Sequence, residues 1–172
     1  KEIKDITSYL RLIENNDDDI AFIRVVNEPK RGIGASSIDK LSQIASAENI
    51  SLFEAAKSVG DRDEITGKAK TGLLGFVSLI EGLKKDLDDE MGLELFVQSV
   101  MEKTGMIASY KAEKTVENET RLENLEEFIS QIKEYMDTMK GGVEIISTPD
   151  EEFTVTYKLK FVNANPSTIV SF

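Results

Sequence analysis

The chain has 172 residues, with 21 Lys and Arg against 32 Asp and Glu and a formal net charge of −11. With 40% hydrophobic and 31% charged residues it can bury a core and keep a solvated surface, as one domain or one domain with a small appendage. It has no Cys and no His, which excludes disulfides, thiolate metal sites, cysteine nucleophiles and imidazole-based catalysis or metal binding. No apolar run approaches the roughly 20 residues of a membrane span, and Lys1 opens no signal-peptide pattern, so a cytoplasmic protein is expected, with no membrane partner. The acidic balance argues against indiscriminate wrapping by nucleic acid. A local basic patch can still hold phosphate.

In chain order, Ile3, Ile6, Leu10 and Ile13 stripe an opening helix that Asn15-Asn16 breaks. Asp17, Asp18 and Asp19 then stand where a second helix starts, favoured at its positive dipole end. Ile50-Ser51-Leu52-Phe53-Glu54 reads as a capping box, which starts a helix at Ser51. Leu73, Phe76, Val77, Ile80, Leu83 and Leu87 share a face of a helix from about Gly67 to Asp86. Leu93, Phe96, Val97, Val100 and Met101 mark another, ended by Thr104-Gly105. A long helix carries Leu122, Leu125, Phe128, Ile129, Ile132, Tyr135, Met136 and Met139 and stops at Gly141-Gly142. The period then changes to two: Phe153, Val155, Tyr157, Leu159 and Phe161 alternate with polar residues, and with Val143 to Ser147 and the turn Thr148-Pro149-Asp150 they predict a β-hairpin. The fold class is therefore mainly α with a C-terminal β-hairpin.

Ile20 to Ala45 carries the chemistry. It reads as helix, tight turn and helix: Pro29 closes the first, Gly32 and Gly34 flank Ile33, and Ile38, Leu41, Ile44 and Ala45 stripe the second. Two glycines one residue apart let backbone N–H groups approach an external group, and phosphate is the natural guest. The next helix start adds unpaired N–H groups, with Ser36, Ser37 and Lys40 in its first turns and Lys30 and Arg31 on the approach side. Ile33 would plug the core. The pattern resembles a helix-hairpin-helix motif, which grips duplex phosphates without reading bases. Thr66-Gly67-Lys68-Ala69-Lys70 offers a second glycine at a helix start, with Gly67, Lys68 and Lys70 as secondary candidates. Either segment alone reads more readily as a plain structural connection, and it is the two together that favour phosphate.

The blocks KEIKDITSYLRLIENNDDDIAFIRVVNEPKRGIGASSIDKL, SLFEAA, KTG and RLENLEEF, in that order, resemble the 2B subdomain of UvrD/PcrA-type superfamily 1 DNA helicases, with a short piece of the adjoining 2A motor domain at the front. The resemblance covers about Lys1 to Tyr135. It implies an accessory, regulatory duplex-binding subdomain of a 3′-to-5′ ATP-dependent helicase of DNA repair or replication, with Lys30, Arg31, Gly32, Ile33, Gly34, Ser36, Ser37 and Lys40 as leading contacts. It implies residues 1–16 as the edge of 2A and a hinge and 17–140 as the helical 2B-like unit, while 141–172 depart from the resemblance and read as a hairpin appendage or divergent return segment. Residues Asn15 to Asp19 are the candidate hinge. The Arg121-Leu122-Glu123-Asn124-Leu125 block reads as structural, through its leucines.

No motor is legible in these residues. Gly67-Lys68-Ala69 lacks the P-loop's preceding glycine and its hydroxyl, so no cofactor is expected here, with ATP and magnesium implied only for the parent helicase. Asp86 to Gly92 misplaces the glycine of a calcium loop and has Val97 where it needs Glu. Asp17 to Asp19 is explained by capping, and no metal or catalytic residue is nominated. Expected partners are duplex DNA, the parent's motor domains and possible partner proteins. The alternative is a protein-interaction module with little DNA binding.

Overall fold

The computed structural model describes residues 1–89 and 91–138 and the backbone of 145–147 and 157–159. The elements are α1 (Glu2–Glu14), α2 (Asp19–Val25), α3 (Ala35–Glu48), α4 (Leu52–Lys57), a 3-10 turn (Val59–Asp61), α5 (Gly67–Asp88), α6 (Leu93–Lys103), α7 (Met106–Ala112), α8 (Val116–Thr138), β1 (Ile145–Ser147) and β2 (Tyr157–Leu159). The described chain is mainly helical. The two short strands pair antiparallel, Ile145 opposite Leu159 and Ser147 opposite Tyr157. Met139, Gly141-Gly142 and the Thr148-Pro149-Asp150 turn lie outside the described residues.

α1 stands at the centre. It packs against α2, α5, α6 and α8, and its Ile6, Tyr9, Leu12 and Ile13 are fully buried. The expected stripe is thus turned toward Tyr9 and Leu12, while Ile3 and Leu10 flank it half-buried. A tyrosine fits this position because its hydroxyl finds acceptors in the Val25 and Glu28 carbonyls at 3.2 and 2.5 Å. Phe22 meets Phe76 edge-on at 5.5 Å, which locks α2 onto α5.

At the corner between α1 and α2 several side chains hydrogen-bond the backbone. Asn16 Nδ2 donates to the Leu12 carbonyl at 2.8 Å, and Asn15 Oδ1 accepts from the Asp17 amide at 3.0 Å. Asp18 caps α2 by accepting from the Ala21 amide at 3.0 Å. Asp19 reaches across to accept from the Leu52 amide at 2.9 Å, at the start of α4. The acidic triplet is therefore capping chemistry twice over, and among the described residues no group of three or more acids is arranged to hold a metal ion. Ser51 caps α4 through the Glu54 amide, as the capping box predicts.

Two polar links close the chain on itself. Glu2 Oε1 accepts from Asn124 Nδ2 at 2.8 Å, which joins α1 to α8, and Asp5 Oδ1 accepts from Arg24 Nε at 3.0 Å. Asp5 is only 2% exposed, and its second oxygen has Lys1 Nζ at ion-pair distance, 3.5 Å, without a hydrogen bond. Among the described residues no helix is long and apolar enough to cross a membrane.

Candidate nucleic-acid interface

α2 ends at Val25, earlier than the proline that was expected to close it, because residues 26–34 make a turn held by side chains. Asn27 Oδ1 accepts from the amides of Arg31 and Ile33 at 2.7 and 3.3 Å, which folds the backbone back toward α2. Gly32 takes φ +77°, a conformation glycine adopts without cost. Ile33 is 1% exposed and plugs the core, and Gly34 begins α3 in extended conformation.

This turn lies on the first turns of α5. A Cβ built on Gly32 would stand 3.3 Å from Lys68 Cβ, and one built on Gly72 would stand 3.0 Å from Ile33 Cγ1. The two glycine-marked segments that the sequence separates by more than thirty residues are therefore one place. Arg31, Gly32, Gly67, Lys68, Thr71 and Gly72 line an open depression there, and none of them is acidic. On a chain of net charge −11 that is an electropositive exception.

Neither helix start is capped by a side chain: Gly34 precedes α3 and Thr66 precedes α5 without one. The Gly34 carbonyl accepts from Ser37 and Ile38, while among the described residues the amides of Gly34, Ala35 and Ser36 have no acceptor. The amides of Lys68 and Ala69 likewise have none. Gly34 and Ser36 are exposed and Ser37 half-buried, and Lys30, Lys40 and Lys68 are exposed and form no ion pair among the described residues. The arrangement presents bare N–H groups and mobile cations to solvent, which suits an anion.

Two expected contacts are placed otherwise. Arg31 is turned inward: Nη1 donates to the carbonyls of Val25, Val26 and Pro29 at 3.0, 3.1 and 3.2 Å, and Nη2 donates to Tyr9 Oη at 2.7 Å and the Thr104 carbonyl at 2.9 Å. Its guanidinium also sits over the rings of Phe76 and Tyr9, 5.1 and 5.8 Å from their centroids. The planar fork fits the orphan carbonyls at the ends of α2 and α6, which is why an arginine goes in where its charge alone would favour water. Lys70 Nζ donates to the Arg62 carbonyl at 3.0 Å and pins the segment leading into α5. Burial pushes the Tyr9 hydroxyl up to about 12, against the opposing pull of the Arg31 charge and hydrogen bond.

Asn27, Tyr9, Gly72 and Thr104 belong to the site's construction and were not singled out by sequence reasoning. Gly72 carried a weak signal: a glycine inside a helix costs about 1 kcal/mol, but Gly75 of the same helix carries the same signal with nothing within 4 Å of its Cβ position. The Arg121 block also does more than its leucines suggest, since Asn124 holds Glu2.

The family model of the UvrD-like helicase C-terminal domain matches residues 1–147. The chain belongs to this family. It is 42% identical over 135 residues to the ATP-dependent DNA helicase PcrA of Bacillus subtilis and 41% identical over 137 residues to the PcrA of Staphylococcus aureus. Each match takes in 78% of this chain, and the chain spans only 18% of the length of these relatives. The matched span contains the whole candidate interface.

Proposed function

We propose that this chain is a 2B-like, accessory duplex-DNA-binding and regulatory unit of a 3′-to-5′ ATP-dependent DNA helicase. In this reading α2, the 26–34 turn and α3 are a helix-hairpin-helix element, and the start of α5 is its second contact. Lys30, Gly32, Gly34, Ser36, Ser37, Lys40, Gly67 and Lys68 face the phosphates, and Ile33 anchors the turn from below. The reading extends to the cytoplasm as its location and to the remaining domains of a longer helicase as its partners, with nucleotide and magnesium held there. The observation that carries it is the meeting of the Gly32 turn with the uncapped start of α5 in one acid-free depression on an acidic chain.

The mechanism is electrostatic. Amides and lysines neutralise a few phosphates of the duplex and release counterions, so binding is weak, indifferent to sequence and sensitive to salt. Titration of the chain with a short duplex at two salt concentrations tests it. The expected log-log slope is about −0.9 for each phosphate neutralised, and the Lys30→Glu, Lys68→Glu double variant loses binding. Equal binding by wild type and double variant would remove the site.

A second reading, docking of a partner protein, draws on the exposed Ile20 and Ile23 of α2, 83% and 54% accessible. It predicts no salt response of this kind with DNA.

A further inference from the structure

We propose that Arg31 is the positioning residue of the duplex-binding turn: it fixes how the turn lies between α2, α5 and α6, and so sets the spacing of the two groups of free amides, without touching a phosphate. The inference rests on the functional reading above and deepens it.

Arg31 is the point where four elements meet. Its donors engage the carbonyls of Val25 and Val26 where α2 ends, the Pro29 carbonyl within the turn, the Tyr9 hydroxyl of α1 and the Thr104 carbonyl where α6 ends. Phe76 of α5 lies against its face. Its own backbone is the part of the turn that rests on α5, because its carbonyl oxygen comes within 2.4 Å of where a Cβ on Gly72 would be. A shift at this one residue therefore moves the turn against α5, and with it Gly32 and Gly34 against Lys68.

All the acceptors of Arg31 are neutral, and no carboxylate pairs with it among the described residues. Its positive charge is thus retained beneath the depression without a hydrogen bond to the outside. Lysine keeps the charge but not the planar fork, so it cannot reach the ends of α2 and α6 together.

The test compares wild type, Lys30→Gln, Arg31→Lys and Tyr9→Phe in duplex binding over a range of salt, alongside amide hydrogen exchange of the free proteins. Lys30→Gln lowers the magnitude of the salt slope by about 0.9, as the loss of one phosphate contact requires. Arg31→Lys binds about tenfold more weakly with the wild-type slope, and exchange accelerates at the residue 31 and Ile33 amides, which Asn27 Oδ1 holds in the wild type, while that of α8 is unchanged. Tyr9→Phe, which removes one acceptor and keeps the ring, shows the same pattern in smaller measure and serves if Arg31→Lys does not fold. A reduced slope for Arg31→Lys, or unaltered affinity, overturns the proposal. Absence of duplex binding by wild type would instead defeat the functional reading, and exchange at the residue 31 and Ile33 amides left unchanged in both variants would then overturn the positioning role on its own.

Discussion

The Arg31 carbonyl lies so close over Gly72 that a Cβ on that glycine would stand 2.4 Å from the oxygen. No real pair of such atoms is this near, so the helix carries a glycine at its interior for the sake of the turn above it. Gly72→Ala is expected to destabilise by about 1–3 kcal/mol, as overpacking does, despite the better helix propensity of alanine. Gly75, one turn further along α5, has nothing within 4 Å of its Cβ position. Gly75→Ala is expected to stabilise by about 0.5–1 kcal/mol. Urea unfolding of the two variants should give opposite signs, and a Gly72→Ala protein as stable as wild type would refute the close approach.

Asn27 gives one oxygen to two amides of the turn. Asn27→Ala leaves the Arg31 and Ile33 amides without their acceptor and should cost about 1–3 kcal/mol. Asn27→Asp keeps an acceptor in place and should retain a larger part of the stability. Denaturant midpoints distinguish them, and equal losses would mean that the amide half of the side chain matters instead.

Tyr9 makes stability fall in alkali. Its folded-state value of about 12 lies above the ordinary 10.0, so the folded protein holds this proton more tightly than the unfolded chain does. Its contribution is complete below pH 10 and is lost as the pH rises toward 12, by a total on the order of 2 kcal/mol. Tyr9→Phe should be less stable at neutral pH by about 1 kcal/mol and should lack this tyrosine's share of the alkaline decline. Unfolding measured from pH 8 upward checks both, and parallel pH profiles for the two proteins would count against the assignment.

The link between Glu2 and Asn124 can be turned into a repulsion. Asn124→Ala removes one hydrogen bond and should cost about 1 kcal/mol. Asn124→Asp should cost more, because it sets a carboxylate beside the Glu2 carboxylate, and the difference from wild type should shrink below about pH 4 as the pair takes up a proton. Melting at pH 7 and pH 3.5 provides the comparison. A gap that stays constant would show that the two groups move apart.

The helices were legible where one face of a segment had to be buried, as in α5, α6 and α8, and where caps were local, as at Asp18 and Ser51. The turn at Gly32 was legible too, because positive φ leaves its mark in the residue type. What escaped was long-range. Nothing in the spacing of Lys30-Arg31 tells which of the two cations goes inward, since that is decided by carbonyls at the ends of α2 and α6 and by two aromatic rings. Asn27 and Tyr9 look ordinary in sequence because their partners are made elsewhere in the fold. α7 was missed for a related reason: a seven-residue helix offers too short a period to read, and Met106 and Tyr110 show their burial only against neighbours. At Asn15 to Asp19 the capping role of Asp18 was legible, while the reach of Asp19 to the Leu52 amide was not, since its partner lies 33 residues away.

The central place of α1 has a consequence for how the chain comes into being. α1 needs α8, which is synthesised well after it, for part of its cover, since Glu2 waits for Asn124 across 122 positions of sequence. Such closure is slow to search for and late to arrive during synthesis. A product cut short before α8 would lose no mere edge; it would be left with its innermost element facing water.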